Sequence, residues 1–474
     1  MIKKVLVANR GEIAIRIFQT LREMEIESVA VFTEADAAAL HVRSAGRSIQ
    51  IDDYIDPRAI VRAAQESGAD AVHPGYGFLS ESPSLSSACE SAGIAFIGPR
   101  TETIRSMGDK IASKRLMQRA GVPTVPSWDL NPPEAEFPVL VKAVGGGGGK
   151  GMRLVEHPSE LAEAISAASR EAGNAFGDDR VFIEKYVRNP RHIEFQILGD
   201  THGNVIHVFE RECSIQRRYQ KIIEETPSPA LSPELRARMG ETAVAAARAA
   251  SYVNAGTVEF VLDPGGEFYF LEMNTRLQVE HAITEMTTGL DLVREQILIA
   301  DGRRLSRTQS DMQQMGHSIE CRIYAEVPEE HFRPDTGVVA VYRPPGGPGI
   351  RLDSGIQEGS EVGFHYDPML AKLIVWAGDR DAAIERMKRA LSEFVILGVR
   401  NNIEFLHRVI CSDEFRTGKF DTQFLERRPD LLNASTIDIP PAARIVASLE
   451  PLNAGPGTGQ TFSNVWASGG WRNS

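Results

Sequence analysis

The chain has 474 residues, 42% hydrophobic and 24% charged, which is typical of a globular protein with about two to four domains. A net charge of −12 and a pI near 5.5 argue against a nucleic-acid or anionic-membrane surface covering the protein. Four scattered cysteines without a CxxC pair, a short apolar run at the N-terminus and no membrane-length apolar stretch predict a soluble cytoplasmic protein.

Residues 1–100 alternate between strand and helix patterns. The predicted strands and helices, in chain order, are Lys3–Ala8, Glu12–Met24 (helix), Ser28–Phe32, Ala59–Ser67 (helix), Ala69–His73 and Ile94–Gly98. This order predicts a parallel sheet with helices on both faces, hence a Rossmann-like α/β domain. The first turn, ANRGEIA, has one glycine where a dinucleotide fingerprint needs three, so NAD binding is not predicted.

A Pro-rich connector at 121–138 precedes a middle region that we expect to be α+β with antiparallel hairpins. Its predicted strands and helices are 138–144, Ser159–Arg170 (helix), 180–187, 192–198, 204–210, Glu234–Ala250 (helix), 256–262 and 267–273. A third, mixed segment runs from His317 to about Leu425. Its predicted elements are strands at 318–324, 337–343 and 370–376 and a helix at Arg380–Phe394.

The sequence VKAVGGGGGKGMRL, residues 141–154, places five consecutive glycines between two apolar strands. Each glycine inside a regular element costs roughly 0.5–1 kcal/mol of stability relative to alanine, so five in a row indicate that bare backbone is required here or that the segment is a loop. A glycine hairpin can fold its backbone N–H groups around phosphate oxygens and close as a lid. A plain mobile loop is the alternative that the residues leave open.

Downstream, two β runs flank Asp263–Gly266, a turn tetrapeptide in the sequence GTVEFVLDPGGEFYFLEMN. A four-residue loop would pair Leu262 with Glu267. Counting back along both strands then places Glu259 opposite Phe270. A register error of one residue would move these side chains to the opposite face, so the predicted position of Glu259 depends on this pairing.

In this register Glu272 emerges on the same face as Glu259, at the diagonal distance of about 7–8 Å. Asn274 continues that face by the period of two. Two carboxylates and an amide form the oxygen ligand set that Mg²⁺ prefers beside nucleotide phosphates. The alternative is a solvated polar face, but carboxylates in apolar strands are costly unless paired or metal-bound.

Arg276, Gln278 and Glu280 alternate beyond the hairpin. A guanidinium among carboxylates can hold a small planar anion through two hydrogen bonds. Glu280 could then act as the general base for that anion's proton. An ordinary surface salt bridge is the alternative interpretation of the pair.

Seven motifs together resemble biotin carboxylase, the ATP-grasp component of biotin-dependent carboxylases. They are HPGYGFLSE (73–81), MGDK (107–110), GGGGGKGM (145–152), EKYV (184–187), NPRHIEFQ (189–196), ERECSIQRRYQK (210–221) and EMNTRLQVEH (272–281). The resemblance runs from residue 1 to about 428. It implies a Rossmann-like N-terminal domain (1–110), an ATP-grasp domain (111–315) with its lid at about 125–190, a mixed C-terminal domain (316–428) and a flexible tail (429–474).

The resemblance implies that bicarbonate attacks MgATP (or MnATP) to form carboxyphosphate, whose CO₂ then carboxylates N1 of carrier-bound biotin. It assigns ATP contacts to Lys110, Lys142, Gly148, Gly149, Glu184, Lys185, Tyr186, Val187, His192, Gln216, Glu259 and Glu272. It assigns the metal to Glu259, Glu272 and Asn274. It assigns bicarbonate and biotin to Lys221, Arg276, Gln278, Val279, Arg351 and Tyr76, with Glu280 as the base and Lys221, Arg276, Glu280 and Arg351 as catalytic residues.

The chain lacks an A-M-K-M-like biotinylation sequence, so we expect the biotin carrier and the carboxyltransferase on separate chains. ECRIYAE (320–326) and YDPMLAKL (366–373) resemble acyl-CoA carboxylases more than pyruvate carboxylases. Tyr219 stands where many members have histidine, and a homodimer is implied. The alternatives are the ATP-grasp component of a two-subunit pyruvate carboxylase, another ATP-grasp ligase and a non-catalytic nucleotide-binding scaffold.

Overall fold

The computed structural model describes residues 1–133, 136–145, 151–218 and 220–433, and every structural statement below concerns these residues. The predictions for Gly148, Gly149 and Tyr219, and for most of the tail, lie outside them. No helix in these ranges is long and apolar enough to cross a membrane.

The N-terminal region is the predicted parallel sheet, with strand order β3-β2-β1-β4-β5. Its elements are β1 (Lys4–Val7), α1 (Gly11–Glu23), β2 (Glu27–Phe32), α2 (Leu40–Ser44), β3 (Arg47–Gln50), α3 (Pro57–Ser67), β4 (Ala71–His73), α4 (Pro83–Ser91) and β5 (Ala95–Phe96). The apolar run of β1 is buried because helices cover both faces of a parallel sheet. The carboxyl end of β1 leads directly into Asn9 and Arg10, which reach the site described below.

A second, four-stranded sheet has the order β6-β9-β7-β8. We call it the lid sheet, because its strands lie within the region predicted to be the lid. The elements of this part are α5 (Thr101–Gly108), α6 (Lys110–Arg119), β6 (Ser127–Trp128), β7 (Val139–Ala143), β8 (Met152–Val155), α7 (Leu161–Phe176) and β9 (Val181–Lys185). β7 and β8 pair antiparallel on either side of the glycine run, as predicted. Asp109 caps α6 by accepting hydrogen bonds from the first-turn amides of Ile111 and Ala112.

The largest sheet has eight strands in the order β14-β13-β10-β11-β12-β15-β22-β20. Its first part comprises β10 (Arg191–Gly199), β11 (Val205–Arg217), β12 (Gln220–Thr226), α8 (Pro233–Ala249), β13 (Asn254–Leu262), β14 (Phe268–Asn274), α9 (His281–Thr288) and α10 (Leu292–Ala300). Among these, β12 is a strand that the sequence pattern did not predict. It is essential to the site because it carries Lys221.

The chain after residue 316 completes this sheet. Its elements are β15 (His317–Tyr324), β16 (Glu326–Val327), β17 (Arg333–Pro334), β18 (Gly337–Val338), β19 (Val341–Arg343), β20 (Ile350–Ser354), β21 (Glu361–Val362), β22 (Met369–Ala377), α11 (Arg380–Glu393), β23 (Val395–Leu397), α12 (Ile403–Cys411), α13 (Asp413–Arg416) and α14 (Phe424–Arg427). The single strand predicted at 337–343 is two short strands, because β18 pairs with β21 and β19 pairs with β23.

The eight-stranded sheet crosses the boundary that we predicted between the ATP-grasp and C-terminal domains. β12 pairs antiparallel with β15, with Ile223 opposite Cys321 and Thr226 opposite Ser318. Ile223, Ile319 and Leu373 belong to one buried hydrophobic cluster that continues across the same boundary. The site therefore lies on a continuous sheet to which both regions contribute side chains.

Candidate active site

A cavity of about 660 Å³ lies between the N-terminal region, the lid sheet and the eight-stranded sheet. It brings together twelve of the residues that the sequence predicted: Tyr76, Lys110, Lys142, His192, Gln216, Lys221, Glu259, Glu272, Asn274, Arg276, Gln278 and Val279. These residues come from distant parts of the chain. The fold therefore brings these twelve residues to one cavity, whereas Glu280 is not among the described residues that line it.

The acidic hairpin places its two carboxylates on the same face, but not by the predicted pairing. Leu262 pairs with Phe268 and Phe260 with Phe270, so the connection is one residue longer than expected. A β-bulge then restores the face, because Glu259 lies directly opposite Glu272. The predicted pairings of Leu262 with Glu267 and Glu259 with Phe270 are wrong.

Asn274 belongs to this face, as predicted. Its side-chain amide donates a hydrogen bond to Glu259 Oε1 at 2.8 Å. On the other side of β13, Glu194 is the direct cross-strand partner of Glu259. Three carboxylates from β10, β13 and β14 thus stand in a row.

Lys221 balances much of this negative charge. Its Nζ lies 2.5 Å from Glu194 Oε2, 2.8 Å from Glu259 Oε1 and 2.8 Å from Glu280 Oε1. Burial alone would lower the pKa of Lys221, but the three carboxylates raise it well above its usual value. The ammonium is therefore charged at any physiological pH.

Glu280, the predicted base, immediately precedes α9 and is fully buried. Its Oε2 accepts a hydrogen bond from Arg322 Nη2 at 2.9 Å, opposite the bond from Lys221. Burial raises the pKa of Glu280, but Lys221, Arg322 and Arg211 outweigh it and hold that pKa well below its usual range. The carboxylate is thus ionised at neutral pH.

Arg276 lies beside this group in the loop between β14 and α9. Its guanidinium donates to Gln278 Oε1 at 2.8 Å, to Asn274 Oδ1 at 3.2 Å and to Glu81 Oε2 at 2.9 Å. The backbone carbonyl of Val279 accepts a hydrogen bond from Lys372 at 2.7 Å. Side-chain contacts therefore fix the orientation of the guanidinium that we expect to hold a planar anion.

His192 faces the second carboxylate oxygen of Glu259, and Gln216 in turn contacts His192. His192 Nε2 is 2.8 Å from Glu259 Oε2, and Gln216 Nε2 is 2.7 Å from His192 Nδ1. Burial is the largest single effect on His192 and lowers its pKa, but the charge and contact of Glu259 together with the charge of Glu194 outweigh it, so the net pKa lies above the usual value. Glu259 is consequently held by His192, Lys221 and Asn274 together.

Two of the lysines predicted to contact ATP line the cavity. Lys110 begins α6, and Lys142 lies on β7 of the lid sheet. Glu184 does not line the cavity itself, but its carboxylate accepts a hydrogen bond from Lys142 at 2.9 Å. Lys114, which the sequence analysis missed, donates to the same carboxylate at 2.6 Å.

Lys185, Tyr186 and Val187 were predicted to contact ATP. In the structure they line a second, smaller cavity of about 300 Å³, together with Asp263 from the hairpin turn and Tyr269 from β14. They are not among the described residues that line the larger cavity. Their role at the nucleotide remains a prediction.

Arg351 was predicted to bind biotin, and it is not among the described residues that line the cavity, so its role stays a prediction. Its guanidinium donates to Glu285 Oε2 at 2.7 Å and to both oxygens of Asp353, at 2.9 and 2.8 Å. Arg322 is the guanidinium that lines the cavity. Arg322 lies on β15, and β22 separates that strand from β20, which carries Arg351.

The donor set of the hairpin fits a divalent cation. No described residue donates a hydrogen bond to the side-chain carboxylate of Glu272, and burial and the charge of Glu259 raise its pKa. A cation between Glu259 and Glu272 would relieve this repulsion with oxygen ligands that suit Mg²⁺ or Mn²⁺. His192, Glu194 and Glu259 also have ligand atoms within 4.8 Å, but Arg211 and Lys221 already neutralise Glu194.

Comparison with known proteins identifies the family. The biotin carboxylase N-terminal domain matches residues 1–104, the ATP-binding domain of the carbamoyl-phosphate synthase L chain matches 109–308, and the biotin carboxylase C-terminal domain matches 320–427. The biotin carboxylase of Nostoc sp. is 51% identical over 439 residues, which cover 89% of this chain and 98% of that protein. This chain belongs to the biotin carboxylase family. It is accordingly an ATP-dependent ligase with the ATP-grasp fold.

Relatives within the family are components of different carboxylases. A pyruvate carboxylase subunit of Methanothermobacter thermautotrophicus is 52% identical over 442 residues, 90% of each chain. The methylcrotonoyl-CoA carboxylase α subunit of Glycine max is 48% identical over 471 residues, and the aligned region spans 94% of this chain but 64% of that relative. The chain therefore spans a little under two thirds of the latter protein.

A crystal structure from the family has the same fold. The biotin carboxylase domain of the Hydrogenobacter thermophilus 2-oxoglutarate carboxylase matches with a TM-score of 0.89 at 47% identity. The match covers 92% of this chain and 99% of that one. That structure is a dimer in complex with MgADP, ADP and bicarbonate.

Reasoning from the residues missed several members of the site, of which Arg322, Lys114 and Glu194 matter most. The sequence contains a signal for each of the three. Glu320 and Arg322 alternate with apolar residues in HSIECRIY, and Glu194 does so in RHIEFQ, which predicts charged side chains on one face of a buried strand. Lys114 follows Lys110 by one helical turn.

Proposed function

We propose that this chain carboxylates biotin on a separate carrier protein, with bicarbonate as the carboxyl source and ATP as the energy source. One observation carries the proposal. Glu280 is not among the described residues that line the cavity, but it contacts Lys221 and Arg322, which line it together with Arg276 and the acidic hairpin. A base that contacts the cavity lining, an anion-binding guanidinium and a nucleotide-metal face suit phosphoryl transfer to bicarbonate.

At the nucleotide end, Lys110 and Lys142 would bind phosphate oxygens, and Glu259, Glu272 and Asn274 would hold Mg²⁺. The metal supplies neutralisation of phosphate charge when it is bound. Phosphoryl transfer is catalysed mainly by positioning and by cationic charge. The lysines would thus face the negative phosphates of MgATP, and the two carboxylates would face its positive metal ion.

At the bicarbonate end, Arg276 and Gln278 would orient the anion, and Glu280 would accept its proton. The depressed pKa of Glu280 keeps the carboxylate ionised at neutral pH. Lys221, whose ammonium contacts both Glu259 and Glu280, would stabilise the transferring phosphoryl group between the two ends.

For biotin we assign to Arg322 the role that the family resemblance suggested for Arg351. Arg322 lines the cavity and donates to Glu280 and to Glu224. A guanidinium at this position can stabilise the oxygen of the biotin enolate while CO₂ is transferred. Tyr76, whose ring lies 5.7 Å from Lys372 Nζ, offers an aromatic surface in the same cavity.

As the final acceptor we favour an acyl-CoA, because ECRIYAE and YDPMLAKL resemble acyl-CoA carboxylases and relatives include methylcrotonoyl-CoA carboxylase. Pyruvate is the second candidate, since the alignment with a pyruvate carboxylase component covers 90% of both chains. We propose a homodimer whose carrier and transferase are separate chains. Cytoplasmic location is supported by four free cysteines, three of them buried. Purification with native partners would identify the acceptor enzyme.

Phosphate release from MgATP tests the reaction, measured with and without bicarbonate and free biotin. We expect bicarbonate-dependent release that biotin stimulates. The Glu280→Gln variant should lose about 10²–10⁴-fold in turnover while it still binds MgATP. Glu267→Gln, an exposed change in the hairpin turn, is the matched control.

Bicarbonate-independent turnover, or turnover that requires an amine and a carboxylate, would reject this function in favour of another ATP-grasp ligase. Absence of turnover with intact nucleotide binding would favour a scaffold. Full activity of Glu280→Gln would remove only the base assignment.

A further inference from the structure

Three buried charges meet where α6 approaches the lid sheet. Lys114 Nζ lies 2.6 Å from Glu184 Oε1, and Lys142 Nζ lies 2.9 Å from Glu184 Oε2. The three side chains are only 9–11% exposed. One carboxylate thus binds two ammonium groups in a site with little access to water.

The two lysines have different surroundings. Lys114 lies on α6, which packs on β14 and α8, and its ammonium lies 5.9 Å from the ring centroid of Phe182. Lys142 lies on β7 and lines the larger cavity, whereas Lys114 is not among the described residues that line it. Only Lys142 is therefore placed to contact a ligand in that cavity.

The charge balance of the group follows from burial. Burial would raise the pKa of Glu184, but Lys142 and Lys114 outweigh it and lower that pKa. Burial lowers the pKa of Lys114, because Glu184 compensates only part of the cost of desolvating the ammonium. With Glu184 ionised, one ammonium balances its charge and the second gives the group a net positive charge beside the cavity.

We propose that Lys114 is a positioning residue for nucleotide binding: it supplies the counter-charge of Glu184 and so leaves Lys142 available to a phosphate of a nucleoside triphosphate. This inference rests on the proposed function, since it takes the cavity to bind ATP. Without Lys114, Glu184 and Lys142 form a one-to-one buried pair. A phosphate must then compete with the carboxylate for the only remaining ammonium.

The Lys114→Met variant tests this in the full-length protein. We expect the KM for ATP to rise about tenfold or more, while kcat at saturating ATP changes less than about threefold. Binding of MgATP, measured by calorimetry, should weaken by a similar factor. Binding of adenosine, which carries no phosphate, should be unchanged in a competition assay. A merely structural role would instead reduce kcat or weaken both ligands together.

Two further variants separate charge from packing. Lys114→Arg keeps the cation and should hold the KM within about threefold of wild type. The double variant Lys114→Met/Glu184→Gln removes the carboxylate that competes for Lys142, so it should recover most of the lost ATP affinity. Arg115→Met removes one positive charge from an exposed position of the same helix and serves as the control.

An unchanged KM in Lys114→Met, or a double variant no better than the single one, would overturn the inference. These outcomes are distinct from failure of the proposed function. A wild-type protein that binds MgATP but shows no bicarbonate-dependent turnover would reject that function, and the binding comparison would still decide the role of Lys114.

Discussion

The ammonium of Lys221 contacts three carboxylates that two sheet strands and one helix end bring together. Family resemblance identified Lys221, Glu259 and Glu280 but gave no reason why one lysine should serve both ends of the site. The structure gives that reason, because β12 runs between the acidic hairpin and β15. At the scale of single residues, the charge of each group is set by its neighbours rather than by its type.

Arg322 and Arg351 give a direct comparison at this scale. We expect Arg322→Lys to lower kcat for biotin carboxylation by about 10–100-fold, since one ammonium cannot replace the fork that joins Glu224 and Glu280. Arg351→Lys should change kcat by less than about threefold, because its partners Glu285 and Asp353 do not line the cavity.

Fixation of labelled bicarbonate on free biotin measures both variants, with circular dichroism to confirm folding. A greater loss in the Arg351 variant would restore the assignment based on family resemblance and contradict ours.

At the scale of elements, the acidic hairpin shows how far the sequence could be used. Alternation and the turn residues predicted both strands and the shared face of Glu259 and Glu272. The same reasoning could not predict the longer connection, which shifts the register by one residue, or the bulge at Leu271, which shifts it back. The predicted shared face was therefore right although the predicted pairs were wrong.

β12 was missed because its first residues, Gln220 and Lys221, are polar and its pattern is short. Arg322 was missed because only the strand order shows which guanidinium enters the cavity.

The hairpin also predicts a conflict between function and stability. Glu259 and Glu272 are directly opposed like charges, which destabilise a strand pair. At neutral pH and without a divalent cation, we expect Glu272→Gln to raise the melting temperature slightly, on the order of 1 °C. With MgATP the wild type should be stabilised by binding, whereas the variant should gain little.

Thermal unfolding of both proteins, with and without MgATP, gives this comparison. A variant that melts lower without the cation, or that gains as much as wild type with MgATP, would show that Glu272 is not a metal ligand.

At the scale of the whole molecule, buried histidines make the fold sensitive to acid. Burial lowers the pKa of His41 to about 4, of His73 to about 3 and of His207 to about 4. Between pH 6.5 and 4 the unfolded chain therefore binds protons that the folded protein does not, so the free energy of unfolding falls as the pH falls. The loss begins below the unfolded pKa of about 6.5.

His41 tests this contribution, since it is fully buried near Val31 and Tyr54. Between pH 7 and pH 5, His41→Gln should lose less unfolding free energy than wild type, by on the order of 1 kcal/mol. Denaturant unfolding at both values measures the difference, with exposed His365→Gln as the control. Equal losses in wild type and His41→Gln would contradict the assignment.

The pairing of β12 with β15 has a practical consequence for anyone who divides this protein. A cut near residue 315 would not release an independent C-terminal module. It would turn β12 and β15 into exposed edge strands, whose unpaired backbone N–H and C=O groups can pair with another chain. Pieces made at that point would be prone to self-association, and truncation or fusion is better placed after residue 433, beyond the end of the sheet.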